Sequence, residues 1–134
     1  MSELYSRTVI DHAMNPRNVG NIEAADGYAS VTGPCGDTME IWLKVKDGTI
    51  VKATFITDGC GTTIAAGSMV TELARGKGVS QALRTSQEDV LSALGGLPEE
   101  SQHCALLAAN TLQAAVRDYL VILKEPWKRL YGRR

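Results

Sequence analysis

The alternation of apolar and polar positions divides the chain into an N-terminal helix, a group of strands and a helical C-terminal half. Residues 2–14 predict a short helix, and Asn15-Pro16 ends it because the residue before a proline avoids the helical region. The apolar side of this helix consists of Leu4, Val9, Ile10 and Ala13.

Strand-like runs follow the first helix. They cover residues 28–32, 40–46 and 50–57. The last two runs are joined by Asp47-Gly48, a pair typical of a two-residue hairpin turn. This arrangement predicts an antiparallel three-stranded meander.

From Thr62 onward the apolar positions recur with the period of a helix. The first predicted helix ends at Gly76, and its apolar face consists of Ile64, Ala65, Ser68, Met69 and Leu73. Short helices are predicted at 79–83 and 86–94, where Ser86 and Asp89 suggest a capping box. A long helix covers 103–124, with a core stripe of Leu106, Ala109, Leu112, Val116, Leu120 and Leu123.

The order of these elements predicts a single α+β domain over residues 1–134. We expect a three-stranded antiparallel sheet with helices packed on one face, the longest of them C-terminal. Ser101, just before the long helix, is a candidate cap for it.

Composition and charge restrict the classes of function that this chain can have. The chain of 134 residues is 44% hydrophobic and carries a net charge of −1, which argues against general affinity for nucleic acid. We see no apolar run near the roughly 20 residues that span a bilayer, so no membrane association is expected. The N-terminus lacks a basic start followed by an apolar segment, which indicates a cytoplasmic protein.

The three cysteines suggest chemistry rather than a disulfide framework, since three is an odd number and a cytosol is reducing. Cys35 lies in a Gly-rich turn between two strands, Cys60 where a strand meets a helix, and Cys104 near the start of the long helix. Glycine lets a ligand approach closely. Helix starts favour thiolate, so we expect ionised thiols at Cys60 and Cys104.

Asp37 and His103 are the two other candidate ligands. Thiolates select zinc, copper(I) or iron–sulfur chemistry, and no Cys-x-x-Cys pair of a zinc finger is present. His103 and Cys104 are a poor nucleophile–base pair, because neighbouring helical side chains point about 100° apart. The alternatives are a turn role for Asp37, a surface or capping role for His103, and a structural domain whose cysteines only pack.

Several short segments, in this order, resemble the IscU / NifU N-terminal family of iron–sulfur cluster assembly scaffolds. They are Asp11-His12, residues 15–20, Cys35-Gly36-Asp37, Gly59-Cys60-Gly61, Thr71-Glu72-Leu73, Gly76-Lys77, His103-Cys104 and Leu107-Ala108. The resemblance covers nearly the whole chain and implies a scaffold and transfer protein rather than an enzyme.

The resemblance also implies the roles of the site residues and the partners. Cys35, Cys60 and Cys104 would be thiolate ligands of a 2Fe–2S cluster, with 4Fe–4S as the alternative, and Asp37 and His103 its exchangeable neighbours. A cysteine desulfurase would supply sulfur, with Cys104 as our choice of acceptor, and apo iron–sulfur proteins or carriers would receive the cluster. Zinc is expected to bind the same groups in the isolated protein.

One segment departs from the family pattern. Scaffolds served by a dedicated DnaK-like chaperone carry Leu-Pro-Pro-Val-Lys before the His-Cys pair, and this chain has Leu97-Pro98-Glu99-Glu100-Ser101. The departure argues against such a chaperone. A second hypothesis, from a different class, uses the same ligands: a zinc-binding sulfurtransferase partner of a cysteine desulfurase.

The C-terminal tail is a candidate docking segment. Residues 124–134 hold five of the 14 basic residues. Trp127, Leu130 and Tyr131 are spaced to share one face of a short helix, which would either fold back onto the core or contact the desulfurase.

Overall fold

The computed structural model describes residues 4–127. Its helices and strands are α1 (Arg7–Met14), β1 (Gly27–Thr32), β2 (Thr38–Lys46), β3 (Thr49–Thr57), α2 (Gly61–Ala74), α3 (Val79–Ala82), α4 (Gln87–Leu94), a 3₁₀ turn (Glu99–Ser101) and α5 (Gln102–Lys124). The predicted α+β architecture is confirmed, with one sheet and a long C-terminal helix.

The sheet is the predicted meander, with strand order β1-β2-β3 and antiparallel pairing throughout. Asp47 and Gly48 join β2 to β3 with φ values of 54° and 77°, the left-handed conformation that a tight hairpin turn requires. Alternate residues of β2 face the core, where Met39, Ile41 and Leu43 are fully buried. The two-residue period therefore places one apolar face toward the helices.

The helices cover that face. Helix α5 packs against β1 and β2, α2 against β3, α1 against α2, and α4 against α5. Gly67 lets α2 lie close to β3, because a Cβ at this position would stand 2.5 Å from the Phe55 ring. Most of α2 is buried, including Ala65, Ser68 and Met69 of the predicted face, while Ile64 and Leu73 are partly buried.

Local signals placed several helix ends correctly. The Ser86 side chain accepts a hydrogen bond from the Asp89 backbone, and the Asp89 carboxylate accepts one from Ser86 N–H, so the capping box is present. Gly76 follows α2 with a φ of 86° and stops it. Ser101 is the N-cap residue of α5, but its side chain makes no capping hydrogen bond, so that expectation was wrong.

Two apolar patterns were predicted only in part: Val9 of the first helix and Ala109, Leu112 and Val116 of the last are buried as expected, but other members are not. Helix α1 begins at Arg7, and Leu4 before it is 62% exposed. On α5, Leu106 and Leu123 of the predicted stripe are 41% and 62% exposed. The buried residues of α5 are Cys104, Ala105, Leu107, Ala108, Ala109, Thr111, Leu112, Ala115, Val116 and Ile122. Small alanines let the helix approach the sheet, so the close-packed face is not the one richest in leucine.

Helix α5 is the longest helix of the described residues. Within residues 4–127, one helical segment, Glu99–Lys124, is long and apolar enough to cross a bilayer by length and composition alone. Its packing on β1 and β2 makes it the core helix of this domain. Beyond it, Trp127 is 57% exposed, and the tail helix predicted over Leu130 and Tyr131 lies outside the described residues.

Candidate functional site

The predicted site residues come from three places that the fold brings together at one end of the sheet. Cys35 and Asp37 lie in the turn between β1 and β2, Cys60 precedes α2, and Cys104 lies in the first turn of α5. The Thr63 hydroxyl lies 3.0 Å from Asp37 Oδ2, 3.3 Å from Cys104 Sγ and 4.0 Å from Cys60 Sγ, so these side chains are neighbours.

Glycines shape the turn and the start of α2 around this site. Gly36 has a φ of 95°, a conformation that favours glycine, between Cys35 and Asp37. A Cβ at Gly59 would lie 2.6 Å from Thr63 Cβ and 2.8 Å from Asp37 Oδ2. The absence of a side chain at position 59 therefore leaves room for Asp37 to reach α2.

Cys60 has the properties expected of a metal-binding or reactive thiol. It is exposed and occupies the N-cap position of α2. The Thr63 backbone N–H, followed by that of Thr62, lowers the pKa of the Cys60 thiol, and partial burial opposes them. The prediction that a helix start favours thiolate is confirmed here.

Cys104 has the opposite properties. Its side chain is buried, with 2% of the residue exposed, and burial raises the pKa of its thiol. The nearby charges of Cys60, Cys35 and Asp37 raise it further. The structure therefore does not support the expected preference for thiolate at Cys104, because burial disfavours the charged form of its thiol.

His103 lies closer to Cys104 than helical geometry suggested. Its Nε2 atom is 3.7 Å from Cys104 Sγ. This distance is within hydrogen-bonding range of a sulfur, so the expectation of a poor pair is not supported. His103 is half-buried, so its ring borders both the sulfur and solvent.

Thr63 is the residue that sequence reasoning missed. It is fully buried, and its hydroxyl donates to Asp37 Oδ2 at 3.0 Å. The Thr63 hydroxyl oxygen also lies 3.3 Å from Cys104 Sγ and 4.0 Å from Cys60 Sγ. A helix start placed at Cys60 would have identified Thr63, because a residue three positions after an N-cap lies beside the capping side chain.

The donor set suits a soft metal or an iron–sulfur cluster, since it combines three sulfurs, an imidazole and a carboxylate. Within residues 4–127, however, no three His, Cys, Asp or Glu side chains are grouped so that they could hold a metal ion. The site residues converge without forming a complete ligand set, and their ligand roles remain a prediction.

The family model of the NifU-like N-terminal domain matches residues 4–125. The chain belongs to this family. The iron–sulfur cluster assembly scaffold protein IscU 1 of Archaeoglobus fulgidus is 50% identical over 117 residues, covering 87% of this chain and 76% of that protein. The scaffold protein IscU of Escherichia coli K12 is 43% identical over 120 residues, covering 86% and 93%. The resemblance inferred from the short motifs is thereby confirmed.

Solved structures agree on the fold of this NifU-like domain. The N-terminal NifU-like protein of Brucella abortus superposes with a TM-score of 0.71 at 19% identity, covering 90% of this chain and 96% of that one. At this identity the likeness shows a shared architecture, which is the meander covered by helices on one face.

Proposed function

We propose that this chain is a scaffold on which an iron–sulfur cluster is assembled and from which it passes to apo-proteins. The observation that carries the proposal is the grouping of Cys60, Cys104 and Asp37 around the Thr63 hydroxyl of a NifU-like domain, with Cys35 in the same turn as Asp37. Relatives at 43% and 50% identity are named as scaffolds of this kind, which supports the same role here.

The site residues divide into firm and exchangeable ligands. Cys35, Cys60 and Cys104 would bind iron as thiolates, and Asp37 and His103 would compete for the remaining position. A cluster held by four thiolates is stable, as in ferredoxins. A harder carboxylate or an imidazole at one of the four positions binds the cluster more weakly there, which suits a protein that must release the cluster. We expect a 2Fe–2S cluster first, with 4Fe–4S as the alternative.

Sulfur would come from a cysteine desulfurase as a persulfide. We keep Cys104 as the acceptor, beside His103 Nε2. Because Cys104 is 2% exposed, sulfur transfer to it would require a local movement that exposes its thiol when the desulfurase binds. An apolar groove of about 440 Å³ between α1 and the start of α2 borders Cys60 and offers a contact surface next to the site.

The remaining proposals concern release and location. Residues 97–101 lack the second proline, valine and lysine of the chaperone-binding segment, so we propose cluster transfer without a dedicated DnaK-like chaperone. Recipients would be apo iron–sulfur proteins or carriers in the cytoplasm. Zinc would occupy the same thiols in protein isolated without iron.

Anaerobic reconstitution tests this function. The purified chain is incubated with ferrous iron, cysteine and a desulfurase, and visible absorption and acid-labile sulfide are measured. We expect both signals in the native chain and neither in Cys35→Ser, Cys60→Ser or Cys104→Ser. Ser80→Ala, on exposed α3, serves as the control and should assemble normally.

Two results would contradict the scaffold assignment. One is a native chain that binds zinc but gains neither sulfide nor visible absorbance, as expected for a zinc-binding sulfurtransferase partner. The other is a normal cluster in Cys60→Ser. Circular dichroism of each serine variant separates lost ligation from lost folding.

A further inference from the structure

The hydroxyl of Thr63 links two candidate ligands that come from different elements. It donates to the Asp37 carboxylate of the β1–β2 turn and lies 3.3 Å from the Cys104 sulfur of α5. A hydroxyl has one proton and two acceptor positions, whereas an ionised carboxylate can only accept. The hydroxyl proton is therefore directed at Asp37, and the sulfur faces the other side of the same oxygen.

Two other buried threonines of this chain use their hydroxyls differently. Thr71 donates to Gly67 O in α2, and Thr111 donates to Leu107 O in α5. Both satisfy the hydroxyl within their own helix, which is the ordinary solution for a buried threonine. Thr63 instead reaches out of its helix to a carboxylate 26 positions earlier in the chain.

The absence of a side chain at Gly59 is an independent observation that favours the contact between Thr63 and Asp37. Gly59 has no Cβ, and one at that position would lie within 2.8 Å of both Thr63 Cβ and Asp37 Oδ2. Thr63 is 0% exposed, so water does not replace its hydroxyl when the contact breaks.

We propose that Thr63 is a positioning residue for Asp37, holding its carboxylate beside the sulfurs of Cys60 and Cys104. The proposal rests on the scaffold function proposed above. One carboxylate oxygen accepts the hydroxyl proton, and the second oxygen remains available to a metal. Hydrogen bonds of this kind orient metal ligands, and their loss typically weakens metal binding by about 10- to 100-fold.

The test compares two substitutions at position 63. Thr63→Val keeps the branched shape and removes the hydroxyl, and Thr63→Ser keeps the hydroxyl. Zinc affinity of each variant is measured by competition with a chelator. We expect Thr63→Val to weaken binding by about 10-fold or more, as Asp37→Ala does, and Thr63→Ser to stay within a few-fold of the native chain.

A double substitution tests whether Thr63 acts through Asp37. In the Asp37→Ala background, Thr63→Val should cause no further loss of zinc affinity, because the carboxylate to be positioned is gone. Cluster lifetime provides a second readout. Lost positioning should prolong the reconstituted cluster as Asp37→Ala is expected to do, whereas damage to the fold would shorten it.

Native zinc affinity in Thr63→Val, or effects of Thr63→Val and Asp37→Ala that multiply, would overturn the positioning role. A loss in Thr63→Ser equal to that in Thr63→Val would also overturn it, since the hydroxyl would then be irrelevant. If Thr63→Val does not fold, Thr63→Ala provides the same comparison. A native chain that assembles no cluster would refute the scaffold function itself, which is a separate result.

Discussion

Cys60 and Cys104 both stand at the beginning of a helix, but their thiols differ in exposure and in pKa. Cys60 lies at the N-cap, where backbone N–H groups lower its pKa. Cys104 is the third residue of α5 and faces the core, where burial raises its pKa. The difference therefore comes from backbone N–H donors at Cys60 and from burial at Cys104.

Thiol modification should follow that difference. At neutral pH with limiting iodoacetamide, we expect Cys60 to be alkylated well before Cys104, because Cys60 is exposed and has the larger thiolate fraction. Mass spectrometry of peptides at successive times gives the order. In denaturing urea the two rates should converge, and equal rates in the folded chain would contradict this structure of the site.

Asp37 should control how long the cluster stays bound. Asp37→Ala removes a carboxylate that either binds the cluster as a hard ligand or controls its release. We therefore expect slower cluster decay and slower transfer to an apo-ferredoxin. Decay of the visible absorption and the rate of recipient loading measure the two effects. Glu88→Ala, at an exposed position of α4, is the control, and unchanged rates in Asp37→Ala would remove Asp37 from the mechanism.

At the scale of elements, the contact between α2 and β3 positions the start of α2 near the site. Gly67 permits this contact, since any larger residue would meet Phe55. The sequence signals found the ends of α2 and α4 because glycine turns and capping side chains are local features. On α5 they found Ala109, Leu112 and Val116 of the buried side but included the exposed Leu106 and Leu123, because alanine and leucine positions of that helix fit two overlapping stripes.

Gly67→Ala should destabilise the fold although alanine is the better helix former. Its Cβ would lie 2.5 Å from the Phe55 ring, and we expect a loss of about 1–3 kcal/mol in the free energy of unfolding. Urea denaturation followed by circular dichroism measures it. In Gly61→Ala the new Cβ would meet only Ala13 at 3.8 Å, so that control should be neutral or stabilising; equal behaviour of the two variants would contradict the close contact.

For the molecule as a whole, one buried polar contact joins α1, the following loop and α2. Ser68 Oγ lies 2.7 Å from His12 Nδ1 and accepts a hydrogen bond from Arg17 N–H at 2.9 Å. His12 is 7% exposed, and burial, followed by the charge of Arg17, lowers the pKa of its imidazole. Neutral His12 therefore belongs to the folded state.

The free energy of unfolding should decrease as the pH is lowered, partly because of His12. The unfolded chain binds a proton near the ordinary pKa of about 6.5, whereas folded His12 resists protonation until a lower pH. His12 therefore reduces the free energy of unfolding as pH drops below about 6.5, and the loss levels off below the folded pKa. Urea denaturation at pH 7.5 and 5.5 should show a smaller loss in His12→Gln than in the native chain. An equal or larger loss in the variant would exclude His12 as a cause.

The sequence by itself determined the class of fold, the meander, the identities of the candidate ligands and the family. Those follow from local turn chemistry, from residue period and from short motifs that need no knowledge of distant contacts. Only the tertiary structure decided that Cys104 is buried, that His103 approaches it, and that Thr63 joins Asp37 to the sulfurs. Burial and contact between residues far apart in the chain depend on how the helices pack on the sheet, and that packing is a property of the whole molecule.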